Sequence, residues 1–277
     1  IIEEYPYSEL AWFNLGAAYQ GLKLYEKSID AYQYAVAIDE KFDYAYRNMG
    51  DAFIRLRKYK DAIEMLEKVV ELNRPEPVIY EAIGHCYDKI GQFAQARFYY
   101  KKASHLNPDD SQMYYKIACT YMNEGSWTPA VKSLETALRI HIMQPEYNLA
   151  LGRCYMEMGK IDEAITYLGN VIRIRPRHLT GWTEFLRCLY AADMMEEGLE
   201  YAFMAFEHTD GKPLFLYFIA LFMLENAQSK EAMMYLDKAM EVNPKLIKTI
   251  IEINPSLLQN QQVVEVIARH KKKKTKK

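Results

Sequence analysis

His85 is the residue best placed by sequence to do chemistry. Glu81 lies four positions before it and Asp88 three after, so on a helix all three share one face, as a metal or acid–base site would require. A solvated helix face uses the same residues, and none of the other histidines (His105, His141, His178, His208, His270) supplies a second ligand at i, i+4. Cys86, Cys154 and Cys188 share one register position and form no CxxC pair with each other or with Cys119, which removes the zinc-knuckle and thioredoxin readings. They read as small buried hydrophobes. Gly152 to Lys160 ends in Gly-Lys, but its glycines are too far apart for a phosphate loop. No GxGxxG, GxSxG or HExxH occurs, and the sequence predicts no catalytic residue, no metal and no cofactor.

Composition narrows the classes further. Half of the 277 residues are hydrophobic, with 12 Gly and 10 Pro, as in a folded chain. Lys+Arg number 35 against 37 Asp+Glu. Six of the lysines crowd into residues 271–277, which leaves an acidic body of about −8. Such a body is a poor general nucleic-acid binder, because that affinity rests on neutralising phosphates. No apolar run is long enough to span a bilayer. A reducing cytoplasmic setting is the expectation from four unpaired-looking cysteines.

The elements that must position these residues recur every 34 residues. Gly16, Gly50 and Gly84 keep that spacing, as do Ala62, Ala96, Ala130 and Ala164; Pro108, Pro176 and Pro244 differ by multiples of it. Trp12, Leu15, Gly16 and Tyr19 fall on one helical face. A second apolar helix follows in each period, and Asn107-Pro108 or Arg175-Pro176 closes the unit, since a residue before proline avoids the helical region. Each helix pair leaves an apolar face open, so neighbours must stack to complete a core. The predicted class is all-α, an α-solenoid.

Trp12-Phe13-Asn14-Leu15-Gly16-Ala17-Ala18-Tyr19, with Ala96, Tyr100, Ala103 and Pro108 later in the period, resembles the tetratricopeptide repeat. The resemblance implies a right-handed superhelix of seven units, 9–42, 43–76, 77–110, 111–144, 145–178, 179–212 and 213–246. Residues 1–8 then read as the end of a preceding, truncated repeat, 247–270 as capping helices and 271–277 as a disordered lysine-rich tail. Unit one has Ser28 where Ala is usual, unit five Asn148 for the first aromatic, and unit six Leu186 and Gly198 where Gly and Ala are usual.

Members of that family bind extended peptides or partner helices on a concave groove lined by first helices. Its groove positions fall here on Phe13, Tyr44, Arg47, Asp51, Arg55, Glu81, His85, Gln112, Tyr115, Met122, Arg153, Met156, Arg187 and Tyr190, with Asp88 beside them. Arg153 and Arg187 share a position and suggest a ladder for carboxylates; Leu214, Tyr217, Leu221 and Leu224 suggest an apolar end to the groove. Of the residues that a clamp for chaperone C-termini needs, only Asn48 is in place. The expected function is a non-catalytic interaction scaffold for a protein or peptide partner, with no small-molecule substrate. The alternatives are a regulatory or substrate-docking arm of a larger enzyme, and anion or nucleic-acid binding through the lysine run. An end-to-end homodimer through the N-terminal face is also expected.

Overall fold

The computed structural model describes residues 7–73 and 76–274, which form two compact units, 1–142 and 143–277. In the first unit α1 (Glu9–Gly21) pairs with α2 (Tyr25–Ile38), α3 (Asp43–Arg55) with α4 (Tyr59–Leu72), α5 (Pro77–Lys89) with α6 (Phe93–Leu106), and α7 (Ser111–Asn123) with α8 (Trp127–Ile140). In the second, α9 (Pro145–Glu157) pairs with α10 (Ile161–Ile174), α11 (Leu179–Ala191) with α12 (Met195–His208), and α13 (Pro213–Glu225) with α14 (Ser229–Val242). A 3-10 turn (Pro244–Leu246), α15 (Ile247–Ile253), a second 3-10 turn (Pro255–Gln259) and α16 (Gln261–Lys274) follow. The truncated-repeat expectation rests on residues 1–6, outside the described residues.

Within each pair the turn is built the same way. The second residue after the first helix lies in the left-handed region: Lys23, Arg57, Gly91, Gly125, Gly159, Asp193 and Ala227 all have φ between 58° and 76°. The next amide then reaches back to a carbonyl in the helix's last turn, as Leu24 N to Tyr19 O and Gln228 N to Met223 O do at 2.9 and 2.8 Å. This is a Schellman closure, and its geometry is the same whether or not the residue is glycine.

The small residue of the first helix sets how closely the second can approach. A Cβ on Gly16 would lie 2.5 Å from the ring of Tyr32, and one on Gly152 2.5 Å from Leu168 Cγ. Gly50 and Gly84 stand in the same relation to Leu66 and Tyr100. Those partners are almost wholly buried, so the helical cost of a mid-helix glycine, about 1 kcal/mol, is offset by close packing. The unusual sixth unit reverses the sizes. Leu186 takes the small-residue position and Ala202 the position of the large partner, and both are fully buried. Helices α11 and α12 are the least closely paired of the seven. Gly198 meanwhile receives the fully buried ring of Phe222 from α13.

Two expectations need correction. Tyr217 and Leu221 do not form an apolar stretch of groove: both are fully buried, and the Tyr217 hydroxyl donates to Asn243 O at 2.8 Å. Helix α13, apolar on nearly every side, is covered by α12, α14 and the elements that follow. Next, α16 continues through Lys274, so the chain is helical, not disordered, over 271–274; lysine is a good helix former and nothing there breaks the helix. Residues 275–277 lie outside the described residues. Asn148, which stands for the first aromatic in unit five, is buried, and its amide donates to Gln144 O at 2.9 Å.

Candidate functional site

The first helices of each unit carry the predicted groove residues, and polar contacts join one repeat to the next along this face. In the first unit, Gln20 donates to Asp51 at 2.7 Å and accepts from the Tyr32 hydroxyl at 2.8 Å, while Asn48 donates to that hydroxyl at 3.2 Å. Burial raises the Tyr32 pKa, so this hydroxyl stays protonated and the relay keeps its direction. Arg55 approaches Asp51 at 3.6 Å, and Arg47 pairs with Glu76 at 3.3 Å. Phe13 packs between Tyr32 and Phe42, with ring centroids 5.6 and 5.1 Å away. Tyr44 is 60 % exposed and touches only the edge of Phe42 among these rings.

Around His85 the predicted trio does not become a metal site. Glu81 is taken by Lys116 of the next repeat. His85 meets the edge of the Tyr59 ring at 6.3 Å, and burial, reinforced by Lys89 and Lys116, lowers its pKa. Asp88 Oδ1 is buried without a hydrogen-bond partner. Among the described residues no group of three or more His, Cys, Asp and Glu side chains stands close enough to hold a metal ion. Tyr115 hydrogen-bonds with Cys119; Gln112 is exposed, and Met122 is half-buried beyond them. Burial pushes the Cys86 and Cys188 thiols up to about 12 and about 11, the opposite of what a thiolate nucleophile needs.

In the second unit Arg153 donates to Glu184 through Nη2 and Nε at 2.9 and 3.2 Å. Half of the arginine ladder is therefore satisfied by an internal carboxylate. Arg187, one repeat further on, has no ion pair among the described residues and is half-buried. Tyr190 donates to Glu225 at 2.9 Å, an oxygen that also accepts from Asn254 at 2.7 Å. Burial and Glu225 raise the Tyr190 pKa to about 12. Met156 is half-buried on the same helix face. Sequence reasoning missed Gln20, Glu76, Lys116, Glu184 and Glu225. Glu76, Lys116, Glu184 and Glu225 lie off the positions taken as groove-facing, whereas Gln20 shares the position of Met122, Met156 and Tyr190; the available signal was an opposite charge or an amide about one period away.

Two family models match the chain: "Tetratricopeptide repeat protein 21 C-terminal ARM domain" over residues 17–150 and "Tetratricopeptide repeat" over residues 145–178. Anaphase-promoting complex subunit 7 of Homo sapiens is 25% identical over 133 residues, 48% of this chain and 24% of that protein, so the chain spans about a quarter of that relative's length. The C-terminal part of a TPR repeat-containing protein from Cytophaga hutchinsonii has the same fold, with a TM-score of 0.68 at 18% identity, covering 92% of this chain and 99% of that one. YrrB, described as a TPR protein with an unusual peptide-binding site, superposes with a TM-score of 0.57 at 21% identity, covering 65% of this chain and 93% of its own. Sequence register, helix pairing and these matches agree that the chain belongs to the tetratricopeptide repeat family.

Proposed function

We propose that the chain is a non-catalytic interaction scaffold that takes an extended peptide or a partner helix on the first-helix face of its repeats. The observation that carries the reading is the division of labour between neighbouring positions on the first helices of repeats one to six, from which α13 departs because its Leu221 is buried. One position is spent on packing, as at Gly16, Gly50, Gly84 and Gly152. The next is turned to the face and holds Asp51, His85, Cys119, Arg153 or Arg187, none of them fully buried. Exposed Tyr44 and half-buried Tyr115 add rigid aromatic anchors of the kind that dominate interfaces. Relatives named as a subunit of a multiprotein complex and as a peptide-binding TPR protein support the same reading.

The test is selection of a displayed random-peptide library on the purified chain, followed by anisotropy titration of the selected peptides. Tyr44→Ala, Tyr115→Ala and Arg187→Glu should weaken the peptides that contact them about tenfold or more, the loss of one interface anchor. Phe98→Ala and Met234→Ala, exposed on second helices, should leave affinity unchanged. Failure to enrich any peptide, or sensitivity to the second-helix variants alone, would overturn the proposal.

A further inference from the structure

The end of the second unit contains a cavity with no counterpart in the repeat pattern. It is a half-open pocket between α14, α15 and α16 of about 460 Å³, inside the range of small-molecule sites. Met240, Ile247, Ile251 and Ile267 line it, and Lys245 and Lys248, both solvent-exposed, border it. No carboxylate is among the lining residues. His270, the remaining ionisable group of the wall, spends its Nε2 on Asp237 at 2.9 Å, and Arg269 approaches the same oxygen at 3.3 Å. Neither Lys245 nor Lys248 makes an ion pair among the described residues. An apolar chamber of this size with two unneutralised ammonium groups at its edge matches a molecule with an alkyl body and an anionic head. It fits a peptide segment poorly, because the wall provides methyl and methylene groups where an extended backbone needs donors and acceptors.

We propose that this cavity binds an aliphatic carboxylate of the fatty-acid class, its chain among Met240, Ile247, Ile251 and Ile267 and its head at Lys245 and Lys248. The site is independent of the first-helix face. Leucine at 258, 51 % exposed on the wall, is the side chain that such a chain would cover. The lysines act as flexible point charges, so the selectivity is for charge and chain length and not for a particular headgroup geometry.

Titration calorimetry with hexanoate, octanoate and decanoate, each below its micelle concentration, tests the site. Affinity should rise about fourfold per added methylene until the cavity is full. Decanol should bind at least tenfold more weakly than decanoate, and decyltrimethylammonium should not bind. Ile251→Trp, which fills the chamber, should abolish decanoate binding. Lys245→Glu/Lys248→Glu, at exposed positions that leave the fold intact, should weaken it at least tenfold and keeps the test valid if the Trp variant fails to fold. Absence of decanoate binding, equal affinity for decanol, or full affinity in folded Ile251→Trp would each overturn the proposal.

Discussion

Substituting alanine at Gly198 and at Gly169 should move stability in opposite directions, although both glycines lie in helices of the second unit. Gly→Ala gains up to about 1 kcal/mol of helix propensity wherever there is room for the methyl group. At Gly169 in α10 there is room: the added Cβ would sit 3.7 Å from Phe185, an ordinary contact. At Gly198 in α12 it would fall 2.2, 2.5 and 2.6 Å from three carbons of the Phe222 ring. That ring is fully buried and cannot step aside without displacing its neighbours. Overpacking of this kind costs about 1–3 kcal/mol, and the separation here puts it toward the upper end. Gly198→Ala should therefore destabilise by about 1–2 kcal/mol net, a fall of roughly 2–6 °C in Tm. Gly169→Ala should gain about 0.5–1 kcal/mol. Urea and thermal melts followed by far-UV circular dichroism read both. In a Phe222→Leu background the cost at Gly198 should shrink by about half or more, since the clashing atoms are gone. A Gly198→Ala protein as stable as Gly169→Ala would refute the close approach of α13 to α12.

Ala227 holds a left-handed backbone at φ 59° in a turn where three other repeats use glycine. Ala227→Gly should stabilise by about 1 kcal/mol, read as a raised urea midpoint; a lowered midpoint would show that the Cβ packs usefully. Burial pushes the Tyr217 phenol up to about 12, so the folded chain holds that proton where the unfolded chain, near 10, has lost it. The stability this adds is complete below about pH 10 and is lost as pH rises toward 12. Tyr217→Phe should flatten the decline in Tm across that window, and an unchanged slope would exclude Tyr217 from it. Asp88→Asn removes the charge from a buried oxygen with no partner and should raise stability by about 1 kcal/mol. A loss of more than that in a thermal melt would assign Asp88 a stabilising role.

The packing of the repeats was legible in the sequence because a 34-residue period repeats its constraints. Gly16 and Tyr32 must fit together in the same way as Gly50 and Leu66, so the small and large positions recur and can be counted. The sixth unit was not legible by this rule. A leucine and a glycine in the wrong places looked like weakened packing, whereas Leu186 is answered by Ala202 and Gly198 by Phe222 of the following repeat. A size swap conserves volume across two helices, and reading position by position sees only half of it. The burial of Tyr217 and Leu221 escaped for a related reason. The elements after α14 obey no period, and α13, which carries both residues, packs against two of them as well as against α12 and α14.

The face that would meet a partner is the least periodic part of the chain, and the cause is physical. The position after the packing glycine reads Ala17, Asp51, His85, Cys119, Arg153 and Arg187 along the first six repeats, and a buried Leu221 in the seventh. Its neighbour alternates only among Gly, Ala and one Leu. Packing tolerates a narrow range of volumes, so it leaves a repeated signature. A solvent-facing position is constrained by its contacts one repeat away or by a ligand, and neither has to repeat. The cross-repeat contacts of Asp51 with Gln20 and of Arg153 with Glu184 account for part of this variety. Such surface pairs contribute about 0–1 kcal/mol each, too little to have selected so many different residues for stability alone. His85 at one repeat and Arg187 at another are left for a partner to explain, and the change from acidic Asp51 to basic Arg153 and Arg187 means that the two units present different chemistry to it.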